Sequence, residues 1–371
     1  MSNEQVLKQF DDWLTDGSPV AALVMRHWLE PVEGKDAVIF PPTYAKPERI
    51  REEDWPGYNI DRSDDGSSVC QIDSVGSQAN RMEPLFKREP YSKLVPQVII
   101  KAGDKQLNLL DAGHRAADAI VRFSDIAGEL HRAFLALKTQ ADALPLAKIA
   151  PTSLIFGAWD SRATQVKLPR IVRSVIRAFN VKALHRSAQY IPAIEYVDEG
   201  LLDAPEDKTQ QDSMSQLGLS HAPAPWTHGG VEVQSGIRRD ATLNLVALRA
   251  LGTESKDRDK TLSLRRYILG LSLVSFTAPQ ETFLREGCQL VPDPERQWEW
   301  TLVQHDGQRK PFEVSHDDAL KYAQSAADSF EVGSNVGATF NAKIAKDALR
   351  QSKEERKKAR RGKADRSENK E

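Results

Sequence analysis

The chain has 371 residues, 40% of them hydrophobic and 28% charged, enough to bury a substantial core in one large or two ordinary domains. Its net charge of −2 excludes a uniformly basic nucleic-acid binder, and two widely separated cysteines, Cys70 and Cys288, exclude a disulfide framework or a cysteine-built zinc site. The opening MSNEQVLKQFDDWL is not signal-like and no apolar run reaches 18 residues, so a cytoplasmic protein without membrane contact is expected.

In chain order, VAALVMRHWL (20–29) reads as a first buried strand. Residues 31–66, with FPPTYAKP and RSDDGS, read as a loop or insertion outside the core. IDSVGSQANRMEPLF predicts a helix capped by Asp73 or Ser74 and ending near Pro84. A hairpin is expected around Gly103-Asp104, then helices over HRAADAIVRF and DIAGELHRAFLALKTQADAL. TSLIFGAWD is expected as a strand leading into a helix over KLPRIVRSVIRAFNVK, and QYIPAIEYVDEG as extended chain. The polar, acidic stretch 203–216 reads as a mobile linker. HAPAPWTHGGVEVQSGIRRD is a hairpin-like excursion before helices over ATLNLVALRAL and TLSLRRYILGLSLVSF. WEWTLVQHDGQRKPFEV predicts a late hairpin at Asp306-Gly307, followed by the helix HDDALKYAQSAADSF. Strands interleaved with helices and hairpins make an α+β unit over 1–340, with 341–371 a basic, disordered tail.

Charge is segregated along the chain: the last 31 residues hold 12 Lys or Arg against 6 Asp or Glu, leaving −8 for the rest. Familiar catalytic signatures do not occur: there is no Gly-x-Gly, Walker motif, His-Glu-x-x-His or Gly-x-Ser-x-Gly. No catalytic residue, metal ligand or cofactor is therefore expected.

What recurs is cations at predicted turns and helix starts. NRM places Asn80 beside Arg81; HRAADAIVR places His114, Arg115 and Arg122 around Asp118; IRRD places Arg238 and Arg239 before Asp240. Asp118 can pair with Arg115 and Arg122 along one helix face, and Asp240 can cap a helix. Arg162, Lys167, Arg170, Arg173, Arg177 and Lys182 follow one another with no acidic residue between them. On a helix, Arg170, Arg173 and Arg177 share one arc opposite an apolar face; water, carboxylates or phosphates could face that row. Arginine in place of lysine favours bidentate phosphate contacts.

IDSVGSQANRME, LLDAGHRAADAIVR, SLIFGAWDSR with KLPRIVRSVIRA, and GGVEVQSGIRRDATLNLVALRAL together resemble the backbone subunit of type I-G (formerly I-U) CRISPR effector complexes (Cascade), of the RAMP superfamily. The likeness spans roughly 20–290. It implies an RRM-like (ferredoxin-like) palm carrying a finger-like insertion (31–66) and a thumb (217–240). It further implies a non-catalytic antiviral subunit that stacks head to tail as a helical oligomer on CRISPR guide RNA and presents it to target DNA. Its partners would be copies of itself, other effector subunits and a recruited helicase-nuclease. The RNA-binding residues would be Asn80, Arg81, His114, Arg115, Arg162, Lys167, Arg170, Arg173, Arg177, Arg238 and Arg239. Such a reader grips phosphates and 2′-hydroxyls and leaves base edges free.

Two other readings stay open on the residues. In one, Asp73, Asp160 or Asp240 supports metal-dependent RNA cleavage. In the other, the basic row docks an acidic protein and the chain is a protein-only scaffold.

Overall fold

The computed structural model describes residues 3–51, 54–254 and 257–351. The chain opens with α1 (Asn3–Lys8) and α2 (Asp11–Leu14), then β1 (Val20–Pro31), β2 (Ile60–Arg62), β3 (Ser68–Asp73) and α3 (Val75–Met82). β4 (Val98–Ala102) and β5 (Lys105–Asn108) form a hairpin, followed by α4 (Ala119–Arg122), α5 (Ala127–Gln140), α6 (Leu144–Ile149) and α7 (Pro151–Phe156). β6 (Val172–Phe179) leads into β7 (Val181–Tyr190), α8 (Lys208–Gln216), β8 (Ala222–Val233) and β9 (Ile237–Asn244). Then come α9 (Leu245–Arg249), α10 (Arg258–Thr277), β10 (Phe283–Arg285), β11 (Cys288–Pro292), β12 (Glu299–Gln304) and β13 (Arg309–Pro311). α11 (His316–Phe330), β14 (Val336–Thr339) and a final helix, α12, over 342–351 complete the described chain.

The main sheet runs β10-β11-β1-β9-β6-β3-β2, with β12 also on β1 and β13 on β12. Its pairings are antiparallel. β14 joins β4 in parallel to make a small second sheet with β5, and β7 pairs with β8 as a long separate hairpin. Alternation decides the faces of the main sheet. In β9, Ile237, Arg239, Ala241 and Leu243 are buried while Arg238, Asp240, Thr242 and Asn244 are half-buried.

The buried face feeds two cores. Leu23, Met25, Val172, Ala241 and Leu243 join the helices in the larger one, through which α10 runs buried from Tyr267 to Phe276. Each Val, Leu, Ile, Met or Phe among them contributes about 1.5–3 kcal/mol on burial. Gly270 lets α11 approach α10: a Cβ there would meet the Ala323 Cα at 2.8 Å. The smaller core gathers Leu29, Ile176, Ala178 and Ile237 around Ile39, Tyr58, Cys70 and Cys288. The 31–66 excursion is thus not outside the core, since its Ile39 and Tyr58 are almost fully buried. Both cysteines are free and buried.

The first strand, the helices at 75–82, 127–140, 258–277 and 316–330, and the hairpins at Gly103-Asp104 and Asp306-Gly307 form where expected. Several other elements differ. VRSVIRAF (172–179) is strand β6, preceded by the loop that holds KLPR, because its β-branched residues pair on both sides, with β9 and β3. TSLIF lies in helix α7, buried on every side, with Pro151 in its first turn; a wholly buried run carries no period to separate helix from strand. HRAADAIVRF breaks at Arg115 (φ 54°) into a 3-10 turn and the single turn α4, capped by Asp118. Asp118 therefore does not pair along a helix face. Asp240 lies inside β9 and caps nothing; the strand runs on to Asn244, which caps α9. After Tyr190 the chain turns over 196–200, where extended chain is expected, and 208–216 is α8, capped by Asp207 with Met214 buried, where a linker is expected. Of the expected disordered tail, 342–351 is helical and 352–371 lies outside the described residues.

Candidate nucleic-acid interface

Three of the four sequence blocks meet in one buried chain of hydrogen bonds. Arg239 Nε on β9 donates to Ser174 Oγ on β6 at 2.9 Å, and Ser174 Oγ donates to Gln78 Oε1 on α3 at 2.8 Å. Gln78 Nε2 then donates to Asp73 Oδ2 at 2.6 Å, which also accepts from Arg81 Nε at 3.1 Å. Every member except Arg81 is buried. Burial pushes the Arg239 guanidinium down to about 10, still charged at neutral pH. Arg81 Nη2 reaches on to the Leu284 carbonyl at 2.9 Å, tying α3 to β10.

The remaining block is bound by a second buried contact. Arg115 forms a 2.6 Å ion pair with Glu83, both side chains almost wholly buried. Burial raises the Glu83 carboxyl to about 7 against the opposing pull of Arg115, and burial also lowers Arg115. Arg115 donates from Nη2 to Asn80 Oδ1 at 3.1 Å and from Nη1 to the Gly157 carbonyl at 3.3 Å. Gly157 (φ +77°) has Arg170 packed against it: a Cβ there would come within 3.0 Å of the Arg170 Cγ.

These contacts set up a rim made of the end of α3, the 113–117 turn and the 157–170 loop. Asn80, His114, Arg162, Lys167 and Arg170 are exposed on it. The loop is folded by Asp160, whose Oδ2 accepts from the Thr164 N and Oγ1 at 2.8 and 2.7 Å. Trp159 stands 59% exposed on the same loop, with Lys167 Nζ 5.7 Å from its ring centroid. An exposed indole with a lysine over it, on a loop that also carries Arg162 and Arg170, suits a backbone held by charge with a base stacked on the ring.

The open face of the sheet carries a second group. Arg173 and Arg177, four residues apart on β6, share that face with Arg238 and Asp240 of β9 and Arg26 and Trp28 of β1. Arg177 lies in register with Arg238, which is in register with Trp28. Arg238 is bound to Asp240 at 2.8 Å and lies over Trp28 and Phe179, while Arg296 covers Trp28 at 4.3 Å. Arg177 reaches Asp240 at 3.7 Å. Arg173 and Lys182 are exposed.

The expected residues therefore separate. Asn80, His114, Arg162, Lys167 and Arg170 gather on the rim; Arg173, Arg177 and Arg238 lie on the sheet face; Lys182 opens the β7–β8 hairpin. Arg115 and Arg239 are interior and cannot touch a ligand directly, and Arg81 is exposed but already paired with Asp73 and the Leu284 carbonyl. Trp159, Trp28, Arg26, Phe179 and Arg296 were not anticipated. WDSR offered a signal for Trp159, an aromatic directly before a cationic run; nothing local marks the others, which strand register brings together. Among the described residues, no group of three or more His, Cys, Asp or Glu could hold a metal, and no helix is long and apolar enough to cross a membrane.

The model of a family described as CRISPR-associated protein GSU0053 matches residues 23–183, from β1 into β7. That stretch contains three of the four blocks and stops before GGVEVQSGIRRD. No curated protein matches the chain. Among solved structures, the chain is similar to one in a complex described as "CRISPR RNA-guided surveillance complex, pre-nicking", with 13% identity, 78% of each chain covered and a TM-score of 0.31.

Proposed function

We propose that the chain is a non-catalytic, RNA-holding backbone subunit of a cytoplasmic CRISPR effector complex of type I-G, binding guide RNA by its backbone and presenting it to target DNA. The observation that carries this reading is the meeting of Asn80, His114, Arg162, Lys167 and Arg170 on one rim, positioned by the buried Arg115–Glu83 pair. The CRISPR-associated family match over the same residues agrees with it.

The topology supports an RRM-like palm. Strand β1, the helices α3–α7, β6, β9, α10 and then β11 with β12 follow one another, and β11/β12-β1-β9-β6 is their order in the sheet. This order agrees with the β-α-β-β-α-β arrangement of a ferredoxin-like fold, with β3 and β2 added beyond β6 and the β7–β8 hairpin, whose second strand lies in the expected thumb (217–240), inserted between the second and third strands. The aspartates a nuclease would use are engaged elsewhere: Asp73 by Gln78 and Arg81, Asp160 by Thr164, Asp240 by Arg238. A protein-only scaffold has no evident use for an exposed tryptophan with a lysine over its ring.

The test is to purify the protein with whatever nucleic acid it carries and sequence it. Uniform repeat-derived guides are expected. Nucleic-acid-free protein that ignores added single-stranded RNA sinks the reading, and metal-dependent RNA cleavage by the purified complex sinks its non-catalytic part.

A further inference from the structure

The far end of the β7–β8 hairpin is unlike the rest of the surface. Ile191, Ile194, Leu201 and Leu217 are exposed there, Leu217 at 74%. They belong to one folded tip: Tyr190 Oη donates to the Gly218 carbonyl at 3.3 Å, Glu195 pairs with His221 at 2.8 Å, and the Leu201 N donates to the Tyr196 carbonyl at 2.9 Å. Apolar side chains in such number on one exposed element mark an interaction surface. The tip is also acidic. Between 190 and 226 the sequence holds seven Asp or Glu, among them Asp198, Glu199 and Asp212, and a single Lys. Phosphates are repelled by such a surface, so its occupant is a protein with apolar and basic chemistry.

The C-terminal helix α12 has that chemistry. Asn341 caps it by accepting from the Lys343 and Ile344 N at 3.1 and 3.2 Å, and Phe340 anchors it edge-on to Phe123. Ile344 and Leu349 are exposed on it, as are Lys343, Lys346 and Arg350, which share one arc relieved only by Asp347. Among the described residues, no hydrogen bond or ion pair joins this helix to the hairpin tip of its own chain.

We infer that the acidic, apolar tip of the β7–β8 hairpin docks on α12 of a second copy of this chain. This rests on the backbone-subunit reading and adds its self-contact: two different surfaces, one per copy, build an open head-to-tail assembly. It also accounts for a near-neutral protein whose charge is split between a basic end and an acidic remainder.

Charge exchange tests it. One full-length variant carries Asp198→Lys, Glu199→Lys and Asp212→Lys; another carries Lys343→Glu, Lys346→Glu and Arg350→Glu. Circular dichroism checks their folding, and sedimentation velocity with single-stranded RNA reads assembly. Each variant alone should self-associate at least tenfold more weakly than the wild type, and an equimolar mixture should regain assembly, because each reversed surface then meets a reversed partner. Wild-type assembly that neither set weakens, or a mixture that regains nothing, overturns the docking alone. A wild-type chain that stays monomeric with RNA overturns both the docking and the backbone reading.

Discussion

Arg81 and Arg239 are the two ends of one hydrogen-bonded chain that runs through Asp73, Gln78 and Ser174 beneath the sheet and α3. Ser174 is its only link between β6 and α3. Ser174→Ala removes the hydroxyl and leaves both the Arg239 Nε and the Gln78 carbonyl oxygen buried without partners. The loss should be about 2–3 kcal/mol, read as a lower urea midpoint with an unchanged slope.

Glu83 and Arg115 allow a stricter test, because a buried pair and its broken half differ in sign. Arg115→Met leaves the Glu83 carboxyl buried without its counter-ion, so that it must take up a proton, and releases Asn80; it should cost about 3–5 kcal/mol. Adding Glu83→Leu should recover most of that loss in the urea midpoint. RNA affinity should not recover with it, since Asn80 and the Gly157 carbonyl stay unanchored.

His27 predicts an acid limit. Its ring lies in β1 opposite Arg239 and 3.5 Å from the Trp298 ring centroid, and burial followed by the Arg239 charge pushes its pKa down to about 4. The unfolded chain takes up this proton below about 6.5 while the folded one does not. Stability is therefore complete above pH 6.5 and drains away as the pH falls toward 4, by about 1–2 kcal/mol after allowing for solvent screening. In a pH series of thermal midpoints, His27→Leu should flatten the curve between 6.5 and 4.

How much of this was legible in the sequence follows from where the information sits. Long segments with one solvated face, such as 127–140 and 316–330, keep their period and were read correctly. Residues 170–179 were not, because Arg170, Arg173 and Arg177 suit a helical arc and the decisive fact is tertiary: β9 and β3 flank the segment. The rim residues were named from local cation clusters, yet nothing local says that Arg115 and Arg239 turn inward. Their acceptors, Glu83 and Ser174, lie 32 and 65 positions away in the sequence.

Residues 203–216 are ordered yet contribute little to the core, since Met214 is the buried residue of α8. Replacing them with a short Gly/Ser linker should move the thermal midpoint by no more than about 2 °C in a chain of this length, while weakening self-association. A large drop in the midpoint would mean that α8 supports the hairpin as well as the tip.

The last prediction concerns Arg170, Arg173 and Arg177, now placed on a rim and a strand face. Gln at all three keeps the length and polarity of the side chains, and Asp240, which loses Arg177, is still held by Arg238 at 2.8 Å, so the fold should survive. Single-stranded binding loses about 0.7 in salt slope per phosphate contact removed. Three contacts should therefore flatten the log affinity against log salt plot by roughly 2 per protomer, equally for unrelated RNA sequences, because backbone contacts carry no base information. Were these arginines paired with acidic residues of a neighbouring copy, the triple variant would disassemble the oligomer and leave the slope of each protomer unchanged. An intact oligomer with an unchanged slope would remove phosphates from both the rim and the sheet face at these positions.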